Sequence, residues 1–317
     1  MKLIFELSGE HPKIPFCEIE CVGELLECAE QVAVAECPIP AETERLAMTH
    51  AVMEYLGECR AERASFESLL KSLNITTDKT FAGRVKKISG TAIRDTQLDL
   101  ERCIGSHIIG CVRLDSPEEE YRAVFSGDRC FFGRVLYRID RGGFEYRNPM
   151  RRAFFHPGVM MPIMARTLVN LSLIKRGELL LDPFCGTGGI LLEGRILGCR
   201  VIGSDMDRFM LMGCRENLPG AEVMCADATE LPLPDGSADA VATDLPYGQS
   251  VCIRAESMNK LYNDSLAEIR RVLKPGGRAV VVTHVDIRET AGVHFDIIQF
   301  HEQRVHKSLT RRIMVME

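Results

Sequence analysis

Residues 244–247 read Asp-Leu-Pro-Tyr and follow the apolar run Ala-Asp-Ala-Val-Ala-Thr, so a carboxylate, a stiff proline and an aromatic face fall within four residues. That set suits chemistry on an amino group conjugated to a ring, whose delocalised lone pair makes it a poor nucleophile. The Asp244 carboxylate and the Leu245 carbonyl can each accept one N–H and turn the lone pair toward an electrophile, which is a positioning effect. Pro246 holds Leu245 extended and fixes where its carbonyl points. Tyr247 offers a face to a base flipped out of its stack. As the nitrogen is alkylated its proton becomes acidic, and Asp244 or water can take it. The competing reading is a plain turn, because Asp, Pro and Gly favour turns. From average usage, an Asp-x-Pro-Tyr arises by chance in a chain this long in roughly a few per cent of cases. Its place at the end of an apolar run favours the chemical reading.

A second constellation lies upstream. Asp182, Pro183, Phe184, Cys185, Gly186, Thr187 and Gly188 form a Gly-rich turn between the run Leu179–Leu181 and the helical pattern that starts at Gly189. Cofactors of nucleotide type lie at such turns on doubly wound sheets. The dinucleotide fingerprint G-x-G-x-x-G is not met, since the third glycine falls on Leu191, and no Gly-Lys-Ser/Thr follows to make a phosphate loop. The turn therefore allows close backbone approach without a phosphate cradle. A ribose-binding acid belongs about twenty residues on. Asp205 closes Val-Ile-Gly-Ser-Asp there, with Met206 beside it and Asp207 as the fallback. Asp227-Ala228 closes the next apolar run and can accept from an adenine amino group. One such turn is often a mere connection, but three acids closing successive strands describe an adenosine cofactor without phosphates. S-adenosylmethionine fits that description.

These residues need elements to hold them in place. From about residue 179, short apolar runs alternate with helical periodicity, which implies a parallel sheet with helices on both faces. The helical stretch before Arg278 closes at Pro275-Gly276-Gly277. The last two runs, around His294–Val305 and Arg311–Glu317, read as an antiparallel hairpin joined by His306–Thr310. The first half is α+β in character. Lys2–Ser8, Lys79–Ser89, Glu120–Ser126 and Arg129–Ile139 look like strands, and Asp95–Ile108 has helical spacing. The expected organisation is a lobe over 1–70, a domain over 71–140, a linker over 141–153 marked by Gly142-Gly143 and Asn148-Pro149, and a catalytic domain over 154–317.

Composition is that of a globular chain of two domains, with 317 residues, 46% apolar and 26% charged. There is no long apolar run to span a membrane. Glu6 and Glu10 interrupt what a signal peptide needs to be apolar, so a cytoplasmic protein is expected. Thirteen cysteines without a C-x-x-C spacing argue against zinc and against a disulfide framework. Cys103, Cys199 and Cys225 read as small buried hydrophobes. The net charge of −6 is uneven: residues 1–70 carry 5 basic against 14 acidic side chains, and residues 71–150 carry 14 against 11. Local basic surfaces can therefore exist on an acidic chain.

At this point the sequence resembles known families. The segments Asp182–Gly189, Gly203–Asp205, Cys225–Thr229, Asp244–Gly248 and Val272–Gly277 are similar to class I methyltransferases that modify exocyclic amino groups. Leu3–Pro12, Phe81–Gly90 and Leu100–Ile108 resemble the ferredoxin-like plus THUMP region of tRNA-modifying enzymes. Asn148–Leu171 and His306–Ile313 narrow the resemblance to tRNA (guanine-N2)-methyltransferases acting on guanosine 10, including the archaeal dimethylating form. The resemblance covers essentially the whole chain. It implies a doubly wound, mostly parallel α/β sheet with an antiparallel C-terminal hairpin behind an RNA-binding α+β region. It also implies S-adenosylmethionine as cofactor, tRNA as partner and no obligatory protein partner. Cofactor contacts would come from 182–188, Asp205, Met206, Asp227 and Ala228, with His156 and Pro157 on the cofactor side, and catalysis from 244–247. Leu245 departs from the proline of many relatives but keeps the carbonyl. Arg84, Lys86 and Lys87, together with Arg304, Lys307, Arg311 and Arg312, are the candidate RNA contacts. Four rivals stay open: a tRNA guanine-N2 enzyme for another position such as 6, a DNA adenine or cytosine methyltransferase, a protein glutamine methyltransferase, and a non-catalytic tRNA-binding protein. The glutamine enzymes favour Asn where this chain has Asp244.

Overall fold

The computed structural model describes residues 1–247, 258–306 and 309–317. The chain divides into two compact units, Met1–Asp140 and Arg141–Glu317.

The first unit contains β1 (Lys2–Leu7), α1 (Ile14–Glu18), β2 (Glu24–Ala29), β3 (Val32–Glu36), β4 (Thr49–Arg60) and α2 (Arg63–Leu73). It continues with β5 (Thr76–Lys87), α3 (Gln97–His107), β6 (Ile109–Val112), β7 (Glu119–Ser126) and β8 (Arg129–Arg138). All eight strands form one sheet, ordered β2-β3-β1-β4-β8-β7-β5-β6. β5 pairs in parallel with β6 and β7, and the other pairings are antiparallel. α3 starts where the Thr96 hydroxyl accepts the Asp99 N–H at 3.2 Å, a side-chain cap for an otherwise unpaired donor. Helices α2 and α3 lay Phe66, Leu70, Leu100 and Ile104 against Phe81, Phe125 and Phe132. On the other face the sheet curls. Arg122 on β7 pairs with Glu6 on β1, although in a flat sheet three strand spacings, about 14 Å, would separate them. The curl encloses Ile4, Val34, Met53, Val124 and Phe131. Leu70, where the sequence suggests a break, is buried in α2 within this unit. The long strand β4 escapes the sequence reading altogether, yet it joins β1 to β8 and so carries the sheet across.

The second unit contains α4 (Gly142–Tyr146), α5 (Pro162–Leu171), β9 (Leu179–Asp182), α6 (Gly189–Ile196), β10 (Arg200–Asp205), α7 (Arg208–Asn217) and β11 (Glu222–Cys225). Then come β12 (Ala238–Asp244), α8 (Met258–Val272), β13 (Leu273–Thr283), α9 (Arg288–Ala291), β14 (Ile297–His306) and β15 (Leu309–Met316). The seven strands are ordered β11-β10-β9-β12-β13-β15-β14. The first five run parallel, and β15 and β14 are antiparallel, as the hairpin reading expects. β9 is buried at all four positions, which is why it reads as an unbroken apolar run rather than an alternating one. α8 buries Tyr262, Leu266 and Ile269, spaced four and three apart on one face. Full burial of each such side chain is worth about 1.5–3 kcal/mol. The helix ends at Val272, short of Pro275, which cannot extend it.

Residues 141–153, expected as a linker, fall inside this second unit. Arg147 donates to the fully buried Glu193 of α6 at 2.7 Å, and Arg166 of α5 approaches the same carboxylate at 2.8 Å. A buried carboxylate needs such partners, and here they tie the segment to α5 and α6. Strand order reverses between β9 and β12, and ligands of open α/β sheets bind outside the carboxyl ends of the strands at such a reversal.

Candidate active site

Behind β9 the chain turns sharply at Gly186 (φ +49°) and Gly188 (φ +84°) before entering α6. A Cβ on Gly188 would stand 2.7 Å from the Cys214 Sγ of α7, so the loop closes down on that helix. A Cβ on Gly186 would meet nothing within 4 Å, and the loop there is open. The Cys185 N–H donates to the Ser204 carbonyl at 2.9 Å, pinning the loop to β10, and Gly203 leaves room for the thiol. Contact with Cys214 and burial hold the Cys185 thiol far above the usual range, which makes it a packing group rather than a nucleophile.

The loop, the ends of β9 to β12 and the stretch from His156 to Met160 line one cleft of about 580 Å³. That volume is in the range of small-molecule sites. Asp182, Pro183, Phe184, Cys185, Gly186 and Thr187 all line it, as do Asp205, Met206, Asp227, Ala228, His156 and Pro157. Asp244, Leu245, Pro246 and Tyr247 complete its wall. Gly188 shapes the turn behind that lining.

The acids differ in what they do. Asp182 is buried and accepts the Thr243 hydroxyl at 2.7 Å and the Phe184 N–H at 3.2 Å. Burial pushes its carboxyl up to about 7, with the charges of Asp205 and Asp244 adding to the effect. Asp205 accepts the N–H groups of Gly186 and Asp207, each at 2.9 Å, and burial raises its carboxyl as well. Asp207, the fallback, caps α7 by accepting the Phe209 N–H at 2.8 Å and does not line the cleft. Asp227 accepts the Thr229 N–H at 2.9 Å and hydroxyl at 2.8 Å, which fixes its side chain at the end of β11. Three carboxylates around a loop with no lysine suit a cation-bearing adenosine ligand and oppose a pyrophosphate.

At β12 the Tyr247 hydroxyl donates to Asp244 Oδ1 at 2.7 Å. Oδ1 is thereby engaged, and among the described residues no hydrogen bond reaches Oδ2. The Leu245 N–H donates to the Val282 carbonyl at 2.9 Å and its side chain is buried, so the segment continues the sheet for one more residue. The Pro246 carbonyl accepts the hydroxyl of the buried Tyr262 at 2.8 Å. Burial raises the Asp244 carboxyl to about 6 against the pull of Tyr247 and Arg311. The Tyr247 ring packs against His284, centroids 4.9 Å apart. The expectation of a free aromatic face is thus joined by a second role, that of a hydroxyl clamp on Asp244.

The basic residues divide. Arg84 and Lys86 share one face of β5, and Lys87 lies on the other, where its ammonium donates to the Asp95 carbonyl at 2.9 Å. Lys86 is exposed, while Arg84 donates to the Leu114 carbonyl at 2.6 Å. In the second unit Arg304 is exposed, and Lys307 lies outside the described residues. Arg311 corrects the surface expectation: it is 8% exposed, and its charge favours the ionised form of Asp244. Arg312 is half-buried, donating to the His284 carbonyl at 2.5 Å and pairing with Glu302 at 3.0 Å. Cys225 is also corrected. It is exposed, whereas Cys103 and Cys199 are buried. The sequence reading missed Val159, Met160, Met210, Lys260 and Asp264 in the cleft wall. Lys260 and Asp264 sit one turn apart on the exposed side of α8, a spacing common to any surface helix, so nothing singled them out.

Residues 149–313 match the RMKL-like methyltransferase domain family. The chain is 35% identical over 338 residues to the tRNA (guanine(10)-N2)-dimethyltransferase of Methanothermobacter thermautotrophicus, covering 100% of this chain and 99% of that protein. It is 28% identical over 353 residues to the protein of the same name from Methanocaldococcus jannaschii, covering 98% of each. Among solved structures, TrmN from Thermus thermophilus shares the fold over 100% of this chain and 99% of its own, with a TM-score of 0.56 at 20% identity. With similarity running from end to end and the class I methyltransferase fold around the cleft, this chain belongs to the tRNA (guanine(10)-N2)-dimethyltransferase family.

Proposed function

We propose that the chain uses S-adenosylmethionine to methylate the exocyclic N2 amine of guanosine 10 in tRNA, giving N2-methylguanosine and then N2,N2-dimethylguanosine. The observation that carries the reading is the Asp244–Tyr247 pair on the wall of a cleft whose other acids are Asp182, Asp205 and Asp227. Full-length similarity to proteins named for that reaction supports the substrate. Asp205 is suited to the ribose hydroxyls, Asp227 to the adenine amine, and Asp182 to the positive end of the cofactor. Bound S-adenosylmethionine supplies an activated methyl group.

The chain's own residues do the rest. Asp244 Oδ2 and the Leu245 carbonyl accept the two N–H groups of the guanine amine and aim its lone pair. Tyr247 holds Oδ1 so that the carboxylate cannot rotate away. Tyr262 anchors the Pro246 carbonyl and keeps it from competing with that of Leu245. Asp244 must be ionised to accept, and with a carboxyl near 6 it can also take the proton that the amine sheds. The first unit, Met1–Asp140, serves as the ferredoxin-like plus THUMP region that holds the tRNA, and the second, Arg141–Glu317, as the catalytic domain. Arg84, Lys86 and Arg304 contribute phosphate contacts. A tRNA substrate points to a cytoplasmic place of work.

The test uses an unmodified tRNA transcript, the purified chain and labelled S-adenosylmethionine, followed by digestion and nucleoside mass spectrometry. The expected products are N2-methylguanosine early and N2,N2-dimethylguanosine late. Label in adenosine or cytidine derivatives, or in no nucleoside, would overturn the reading.

A further inference from the structure

β15 carries a buried cation beside the reacting residues. Asp244 on β12 pairs with Val282 on β13, and Val282 pairs with Ile313 on β15. Side chains two apart on a strand share a face, so Arg311 stands on the face of Ile313, Val282 and Asp244, one step nearer the rim where the cleft opens. Arg311 is 8% exposed and its Nε has no hydrogen-bond partner among the described residues. A buried charge is costly unless something compensates it. The strand register puts it beside Asp244, and its charge acts on the Asp244 carboxylate and the Tyr247 hydroxyl. Tyr247 in turn donates to Asp244 Oδ1 at 2.7 Å.

We infer that Arg311 is a positioning residue, whose guanidinium holds the Tyr247 hydroxyl against Asp244 so that the free carboxylate oxygen is presented to the substrate amine. The inference rests on the reading that Asp244 accepts an N–H of that amine. Arg311 acts through Tyr247 and Asp244 and does not line the cleft. Its charge also favours the ionised carboxylate, the form that accepts. Other titratable groups face the same place. Asp182 comes from β9, Tyr262 from α8, and Lys260 and Asp264 from the outer side of α8. His284 follows β13, and burial together with the Arg312 charge keeps it below its ordinary value. On β14, His301 stands opposite Ile313. None of these is removed by changing Arg311, so a shift produced by that change belongs to Arg311.

The experiment follows kcat against pH for the full chain, with saturating S-adenosylmethionine and a tRNA transcript. Arg311→Met should lower kcat about tenfold at neutral pH and move the acid limb up by about one pH unit. Part of the loss should return on the alkaline side. Arg311→Lys keeps the charge, so its limb should stay at the parent's position while kcat falls several-fold. Cofactor affinity should be unchanged in both, which also shows that they fold. A Met variant whose limb does not move, whatever its kcat, would overturn the inference, and so would a Lys variant whose limb moves as far as that of Met. If the Met variant does not fold, the Lys variant decides alone: an unmoved limb with lower kcat supports the inference and a raised limb overturns it. A parent chain that transfers no methyl group would instead overturn the functional reading on which the inference stands.

Discussion

In the proposed mechanism Asp244 must be ionised to work, yet its carboxyl sits where ionisation is costly, and this ties activity to stability. Burial raises Asp244 to about 6 and Asp182 to about 7, both above the value of a free aspartate. The folded chain therefore keeps protons that the unfolded chain has already released. The stability that these two groups contribute is fully present below about pH 4 and is lost as the pH rises through 6 and 7. Asp244→Asn removes its share of that cost while Tyr247 can still donate to the amide oxygen. We expect the variant, free of cofactor, to melt above the parent at about pH 8, with the difference closing toward about pH 4. The same variant should lose about a hundredfold or more in kcat while S-adenosylmethionine and tRNA still bind, since the lost alignment is used only in reaction. Thermal melts across pH, run beside turnover assays, check both. A variant less stable at alkaline pH, or active within a few-fold of the parent, contradicts the role given to Asp244.

The Gly-rich loop shows what an element contributes. Gly188 is at φ +84° with Cys214 directly over it, whereas Gly186 is at φ +49° with open space above. Gly188→Ala should therefore cost about 1–3 kcal/mol and weaken cofactor binding sharply. Gly186→Ala should cost less, because the left-handed region near that φ is reached with smaller strain. Denaturant melts and cofactor titrations of the two variants give the comparison, and equal effects would contradict it. Elements of this kind are legible in sequence because glycine spacing and an acid at a strand end are local signals. The loop, Asp205, Asp227 and Asp244 could all be named without coordinates and all line the cleft except Gly188. Arg311 could not be read correctly, since a basic pair at a strand end looks like a solvated surface until the pairing of β15 with β13 decides which side chain turns inward. The same two-residue alternation separates Lys87 from Arg84 and Lys86. Long-range pairing also hid β4, whose neighbours β1 and β8 are far away along the chain.

For the whole molecule the question is how an acidic chain binds a polyanion. The excess of acid is concentrated in residues 1–70, while residues 71–150 are net basic. Lys86, exposed on β5, is the candidate there, with no hydrogen bond or ion pair of its side chain to another described residue. We expect Lys86→Glu to weaken tRNA binding and to flatten the dependence of affinity on salt by about one counterion, with kcat at saturating tRNA unchanged. Lys87→Glu should act less on salt dependence, because its ammonium is turned to the Asp95 carbonyl. Affinity that is identical across a salt series for Lys86→Glu and the parent would remove this strand from the RNA surface. The reach of sequence reading at this scale was broad: alternation gave the parallel sheet and its terminal hairpin, both present as β9–β13 and β14–β15. It did not give the course of residues 1–140, where one curled sheet takes strands from both sides of the expected break and α2 runs through it. The claim on which everything else depends is the target nucleotide. Two tRNA transcripts that differ only at position 10, guanosine in one and adenosine in the other, should be given to the same enzyme with labelled S-adenosylmethionine and digested to nucleosides. The account predicts N2,N2-dimethylguanosine from the first and no label from the second; equal labelling of both would contradict it.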